Sequence, residues 1–179
     1  MKSISINYII HKITDKESID KIVEGCKSKK YKVEINLYDF SLGNQLQNYS
    51  NENVSIVQEN YEDFEKAQSI ILSKMINYID SSIMCIAKES VVLKNLDSID
   101  FNVIDSNELN GLIYTDYSID GIRCFLRSHY PNSNIGVPLA FWNTEKIIKH
   151  IGQENILGLI FNTCIGIHIP EDLCDITTK

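Results

Sequence analysis

Five polar residues stand where an apolar run gives way to a turn: His11, Asp39, Asn60, Glu89 and Asp116. In an open α/β sheet, ligands bind beyond the carboxyl ends of the strands, so carboxylates, an imidazole and an amide at those ends are the groups available to a ligand. Each has a purely structural use as well. Asp39 can cap the turn after its strand, Glu89 can favour the first turn of a following helix, and Asp116, between two tyrosines, can be a solvated carboxylate at a strand end. Cys164, His168 and Cys174 have a spacing that invites a zinc reading. No fourth ligand stands at a recognisable spacing, so His168 is read as a strand residue near the pocket. Phe141 and Trp142 could offer an aromatic platform to a sugar or could be buried. The chain has no GxGxxG, P-loop, G-x-S-x-G or H-E-x-x-H, so dehydrogenase, NTPase, serine hydrolase and zincin readings lack their motifs.

Regular patterns place these residues. Residues 3–10 alternate and then turn fully apolar, as a strand entering a covered sheet does. Thr14 and Glu17 have the spacing of a capping box, and Ile19, Ile22, Val23 and Cys26 then form one stripe on a helix of about three turns. Residues 31–38 set Val33, Ile35 and Leu37 on one face and predict a second strand, which ends at Asp39-Phe40-Ser41. Residues 43–53 read as a loop, 54–58 as a short strand, and 62–78 as a helix carrying Phe64, Ala67, Ile71 and Met75. Residues 82–87 predict a central strand, with a helix expected around Val91, Val92 and Leu96. A strand is expected at 111–117, a long irregular connection at 118–138, a helix capped by Thr144, a helical stretch at 154–161, a strand at 164–169 and a tail after Pro170. Strands alternating with helices imply a mainly parallel central sheet flanked by helices in three Rossmann-like layers.

The whole is expected to be one domain: 179 residues with 44% hydrophobic content suffice for a single core. A net charge of -7 argues against nucleic acid as a partner, since phosphate-backbone binders carry a surplus of lysine and arginine. Lys27, Lys29, Lys30 and Lys32 cluster only where they complement the carbonyl end of the first helix. Five scattered cysteines without CxxC pairs suggest a reducing compartment. The N-terminus does not read as a signal peptide, and no segment reaches the roughly 20 apolar residues of a membrane span. The expected location is the cytoplasm.

Strand by strand, the chain resembles the family 2 glycosyltransferases of the GT-A fold. Ser5-Ile6-Asn7-Tyr8-Ile9-Ile10 is similar to the family's apolar first strand, and Leu37-Tyr38-Asp39-Phe40-Ser41 to its D-D-G-S-like turn. Glu59-Asn60-Tyr61-Glu62 is similar to its E-N-x-G-like turn, and Ile86-Ala87-Lys88-Glu89-Ser90 to the strand that delivers D-x-D. Residues 111–117, ending Tyr114-Thr115-Asp116-Tyr117, resemble a Y-x-D-Y ending, and His168-Ile169-Pro170-Glu171-Asp172-Leu173 the closing H-I-P-E-x-L segment. The resemblance implies a nucleotide-binding half at 1–105 and an acceptor-side half at 106–179. It implies a nucleotide sugar such as a UDP-hexose bound by Tyr8, His11, Asp39, Ser41, Asn60 and Glu89, and a divalent cation, Mn²⁺ or Mg²⁺, held toward Glu89 and His168. Glu154 would be the general base and Asp116 a catalytic partner on the acceptor side.

The sequence departs from the family pattern at the chemistry. The first Asp of D-x-D is Ala87, the E-D pair is Gln153-Glu154-Asn155, and the usual A-R-N is Ala67-Gln68-Ser69. Glu154 can equally be a first-turn helix charge. Two readings follow: hexose transfer to an unidentified hydroxyl acceptor, or an inactive GT-A-fold module that binds ligand or serves within a larger protein assembly.

Overall fold

A computed structural model describes residues 1–13, 15–43, 45–63, 66–67, 70–74, 80–105, 112–114, 139–151, 167–169 and 171–176. The strands are β1 (Ser3–Ile10), β2 (Lys32–Asp39), β3 (Val54–Gln58), β4 (Ile83–Lys88), β5 (Val91–Leu93), β6 (Leu112–Tyr114), β7 (Leu139–Asn143), β8 (Ile167–His168) and β9 (Cys174–Ile176). The helices are α1 (Lys16–Gly25) and α2 (Thr144–Ile151), with residues 66–67 and 70–74 also helical. Seven strands form one sheet in the order β3-β2-β1-β4-β7-β6-β8. Its pairs are parallel except those that β7 makes with β4 and β6. The architecture is therefore α/β with a mixed, mostly parallel sheet.

Alternation along β1 divides the core. Ile4, Ile6, Tyr8 and Ile10 pack on one face with Ile35, Leu37, Cys85 and Phe141, covered by Ile19, Ile22 and Val23 of α1. Ile9, Tyr38, Phe40, Met84, Ile86 and Trp142 pack on the other, covered by Ala67, Ile71 and Leu72 of the helical segment. The sheet is thus buried on both faces, which is why β4 reads as a nearly continuous apolar run and β1 turns fully apolar toward its end. Among the described residues, no helix is long and apolar enough to cross a membrane.

Several local expectations change. The N-cap of α1 is Asp15, whose side chain accepts from the Ser18 backbone N–H at 2.9 Å, rather than Thr14. The helix expected after β4 is instead β5: β-branched Val91 and Val92 favour a strand, and the partner strand β9 arrives from the segment expected to be a tail. β7, not expected as a strand, buries Phe141 and Trp142 in the two core faces. α2 is capped by Asn143, whose side-chain oxygen accepts from Lys146 N–H at 3.2 Å, while Thr144 is its first residue. The close approach of α1 to the small β5–β9 sheet explains Gly25: a Cβ there would lie 1.8 Å from the Leu93 carbonyl oxygen. Residues 118–138 and 154–161 lie outside the described residues.

Candidate functional site

β1, β2 and β4 run parallel and end together at Ile10, Asp39 and Lys88. Beyond those ends lies a cleft of about 740 Å³ whose walls include His11, Lys12, Tyr61, Lys88, Glu89 and Ser90, with Leu42 and Gln45 on the β2 side.

The floor is built by Glu89. The residue is buried, 7% exposed, and its backbone N–H continues the ladder by donating to the Ile9 carbonyl at 3.1 Å. Its side chain turns toward the chain leaving β1. There Oε2 accepts from the backbone N–H groups of His11, Lys12 and Ile13, each at 2.9 Å, and Oε1 accepts from Lys12 N–H at 3.2 Å. Consecutive N–H groups converging on one anion form a nest, and hydrogen bonds to a charged acceptor are the strong kind. Glu89 therefore clamps the end of β4 to the exit of β1. It does not cap a following helix, because β5 follows.

His11 stands above this clamp. Its Nε2 lies 2.8 Å from the Glu62 carbonyl oxygen, which fixes the tautomer that donates there. The ring meets Phe40 at 5.9 Å and Tyr61 edge-on at 6.0 Å, and Tyr61 itself is 58% exposed at the mouth.

The β2 wall depends on Asp39. It is fully buried: Oδ1 accepts from the backbone N–H of Ser41 at 2.9 Å and from its hydroxyl at 2.5 Å, and Oδ2 accepts from Leu46 N–H at 2.9 Å. The Ser41 hydroxyl in turn accepts from Gln45 N–H at 3.0 Å. Gly43, at φ 86°, supplies the left-handed residue the loop needs. Both side chains expected to bind a nucleotide are thus engaged in folding the loop that presents Leu42 and Gln45, and neither lines the cleft.

Tyr8 lies elsewhere. Its even register puts it on the α1 face, fully buried, with its hydroxyl donating to the Val91 carbonyl at 3.0 Å. Burial pushes its pKa well above the ordinary tyrosine value. Tyr8 joins the core, not the cleft. Asn60 is exposed on the connection after β3 and does not line the cleft. Of the nucleotide residues expected, the structure brings His11 and Glu89 to the site. Glu154 and Asp116 lie outside the described residues, and of His168 only the backbone, in β8, is described.

The cleft does not suit a divalent cation. Glu89 Oε2 already takes three N–H donors, and the neighbouring acid position is the buried methyl of Ala87. A hard cation needs six or more oxygens in this role, and the N–H groups around Glu89 present the positive ends of their dipoles. Among the described residues, no three His, Cys, Asp or Glu side chains come together to hold a metal.

What the sequence reading missed are Lys12 and Lys88. Both are exposed, Lys12 stands two residues beyond the end of β1 and Lys88 is the last residue of β4, and the β1–β4 register, with Ile9 opposite Lys88, brings them to the same cleft. Their positions beside His11 and between Ala87 and Glu89 were the available signal.

Against known proteins, the chain matches no protein-family model and no curated protein sequence.

Proposed function

We propose that the chain is a glycosyltransferase-like domain that binds a nucleotide sugar such as a UDP-hexose in this cleft, as a ligand-binding module without metal-dependent transfer. The observation that carries the reading is the convergence of the parallel strands β1, β2 and β4 on one cleft at their carboxyl ends, where open α/β sheets take their ligands. Three of the segments that resemble the GT-A family, 5–10, 37–41 and 86–90, lie on or end those same strands. Absence of metal-dependent turnover is supported by the engagement of Glu89 with the chain at 11–13 and by Ala87 in place of a second acid on the β4 strand, which leave the D-x-D-like segment no free pair of carboxylates for a cation.

Hexose transfer is the second reading, and one observation favours it. β6 is parallel to β8 and antiparallel to β7, so it runs in the direction of β1 and β4, and its last residue, Tyr114, is level with Ala87 of β4 through Leu139 of β7. In that reading Asp116 and Glu154 serve the acceptor, Glu154 as base.

Thermal unfolding with UDP and with UDP-glucose tests binding, because a ligand that binds only the native state raises the melting temperature by mass action. Release of UDP from UDP-glucose, with and without Mn²⁺, tests turnover. The proposal expects a rise with both ligands and no Mn²⁺-stimulated release. No rise with either ligand removes the proposal, and Mn²⁺-stimulated release replaces it with the second reading.

A further inference from the structure

We infer that β3 is a self-pairing edge: the chain dimerises by laying β3 antiparallel against β3 of a second copy, so that one continuous sheet runs through both molecules. The inference stands apart from the nucleotide reading, since no residue of β3 lines the cleft beyond β1 and β4.

Among the described residues, β3 and β8 end the seven-stranded sheet, and they are unequal. β8 is 2 residues long, too short to template a partner, whereas β3 runs for 5 residues and pairs with β2 on one side. An edge strand offers its open N–H and carbonyl groups to any other strand, and proteins blunt such edges with lysine, proline or a bulge. Val54-Ser55-Ile56-Val57-Gln58 carries no charge, no proline and no glycine. It is apolar on both faces as well, with Val54 and Ile56 half-buried against one core and Val57 against the other.

The backbone decides what fits this edge. The Glu59 N–H donates to the Asp39 carbonyl at 3.0 Å, and with Ile56 in register with Leu37, alternation assigns Ser55, Val57 and Glu59 to the β2 ladder. Ile56 and Gln58 therefore turn their N–H and carbonyl groups to the open side. Val54 turns only its carbonyl there as an open group, because its N–H donates to the Asn51 carbonyl at 3.1 Å. A second β3 centred on Ile56 matches this pattern. The two Ile56 residues exchange N–H···O bonds, and each Gln58 N–H reaches the other copy's Val54 carbonyl, so every open donor is met. Charge agrees with the same register. Glu59 falls opposite Asn53 and Glu52 opposite Asn60, so no like charges face each other. Beside β3 lies a shallow groove of about 430 Å³ whose walls include Tyr49, Val54 and Ile56, on the face where the other copy's Gln58 side chain would stand.

The test is sedimentation velocity of the full chain over a roughly hundredfold range of concentration, reaching about 200 µM. Pairing through so short a strand buries less than a standard interface, so a dissociation constant of about 10 µM is expected. The mass should move from that of one chain toward that of two as concentration rises. Gln58→Pro removes an open-side N–H and leaves the β2 ladder intact, and Ile56→Lys sets two ammonium groups opposite each other. Each is expected to weaken the dimer at least about tenfold, with the melting temperature of each variant at low concentration checking its fold. Ile56→Cys places a thiol opposite its own copy, with paired Cα atoms about 5.5 Å apart. A short bis-maleimide is expected to join that variant into a covalent dimer well beyond what wild type, with its native cysteines, gives. A wild type that stays monomeric throughout overturns the inference and leaves the edge to a strand of another protein. A dimer that neither Gln58→Pro nor Ile56→Lys weakens, or that Ile56→Cys does not cross-link, overturns it too, because the second copy then sits elsewhere.

Discussion

Replacing Glu89 by alanine removes the one acceptor shared by the N–H groups of His11, Lys12 and Ile13. A hydrogen bond to a charged group contributes about 1.5–3 kcal/mol, so three taken separately would suggest a very large loss. Two facts reduce it. All three bonds converge on one carboxylate and are not additive, and Lys12 is exposed with His11 and Ile13 half-buried, so water can reach the freed donors. The loss expected for Glu89→Ala is about 2–4 kcal/mol, and for Glu89→Gln, which keeps one carbonyl oxygen, about half of that. Urea unfolding followed by fluorescence, with the slope compared between variants, measures it. Amide hydrogen exchange at residues 11–13 should accelerate in step. A loss below about 0.5 kcal/mol for Glu89→Ala, the size of an ordinary surface change, with those amides still protected would show that the clamp does not hold β1 to β4.

Three further outcomes follow from the packing. Gly25→Ala should destabilise by more than about 2 kcal/mol despite alanine's higher helix propensity, because the new Cβ would meet the Leu93 carbonyl at 1.8 Å; a stabilised variant in thermal unfolding would contradict that approach. Burial pushes the thiols of Cys26 and Cys174 up to about 12 and that of Cys85 upward as well. All three should resist iodoacetamide at pH 8 in the native protein and react in urea, as read by peptide mass mapping; rapid native labelling of any one would refute its burial. The Ser28 hydroxyl, followed by the Lys29 backbone N–H, holds the Asp97 carboxyl below its ordinary value. A folded-state value below the unfolded one makes its stabilising contribution complete above the unfolded value of about 3.9 and lost as pH falls through the folded value. The stability gap between wild type and Asp97→Asn should therefore be constant near neutrality and close below about pH 4; a gap unchanged down to the acid transition would contradict the assignment.

Period-2 patterning made the sheet legible. Residues 3–10 are β1 with the bounds the sequence suggests, and Val33, Ile35 and Leu37 belong to one core face as their spacing predicts. The same pattern was ambiguous at Val91, Val92 and Leu96, where three apolar residues suit either a helix or a strand. Only the distant pairing of Leu93 with Cys174 decides it. The cap of α1 was misread because Thr14–Glu17 and Asp15–Ser18 carry the same spacing one residue apart. At the site, turn chemistry at Asp39-Phe40-Ser41 was legible, but whether Asp39 faced a ligand or its own loop depended on where Leu46 returned. The parity of β1 should have placed Tyr8 with Ile4 and Ile6, away from the strand tips. Lys12 and Lys88 escaped notice because an exposed lysine in sequence looks like any solvated surface residue, and only register sets two of them in one cleft.

The most direct test of a nucleotide site at the carboxyl ends of β1 and β4 is a ¹H–¹⁵N titration of the uniformly labelled chain with UDP. The account predicts that the amides of His11, Lys12, Ile13 and Ser90 move, while those of Ser28 and Lys29, in the separate cleft beside Asp97, stay in place. Shifts confined to the Ser28–Lys29 cleft, or none at saturating UDP, would contradict it.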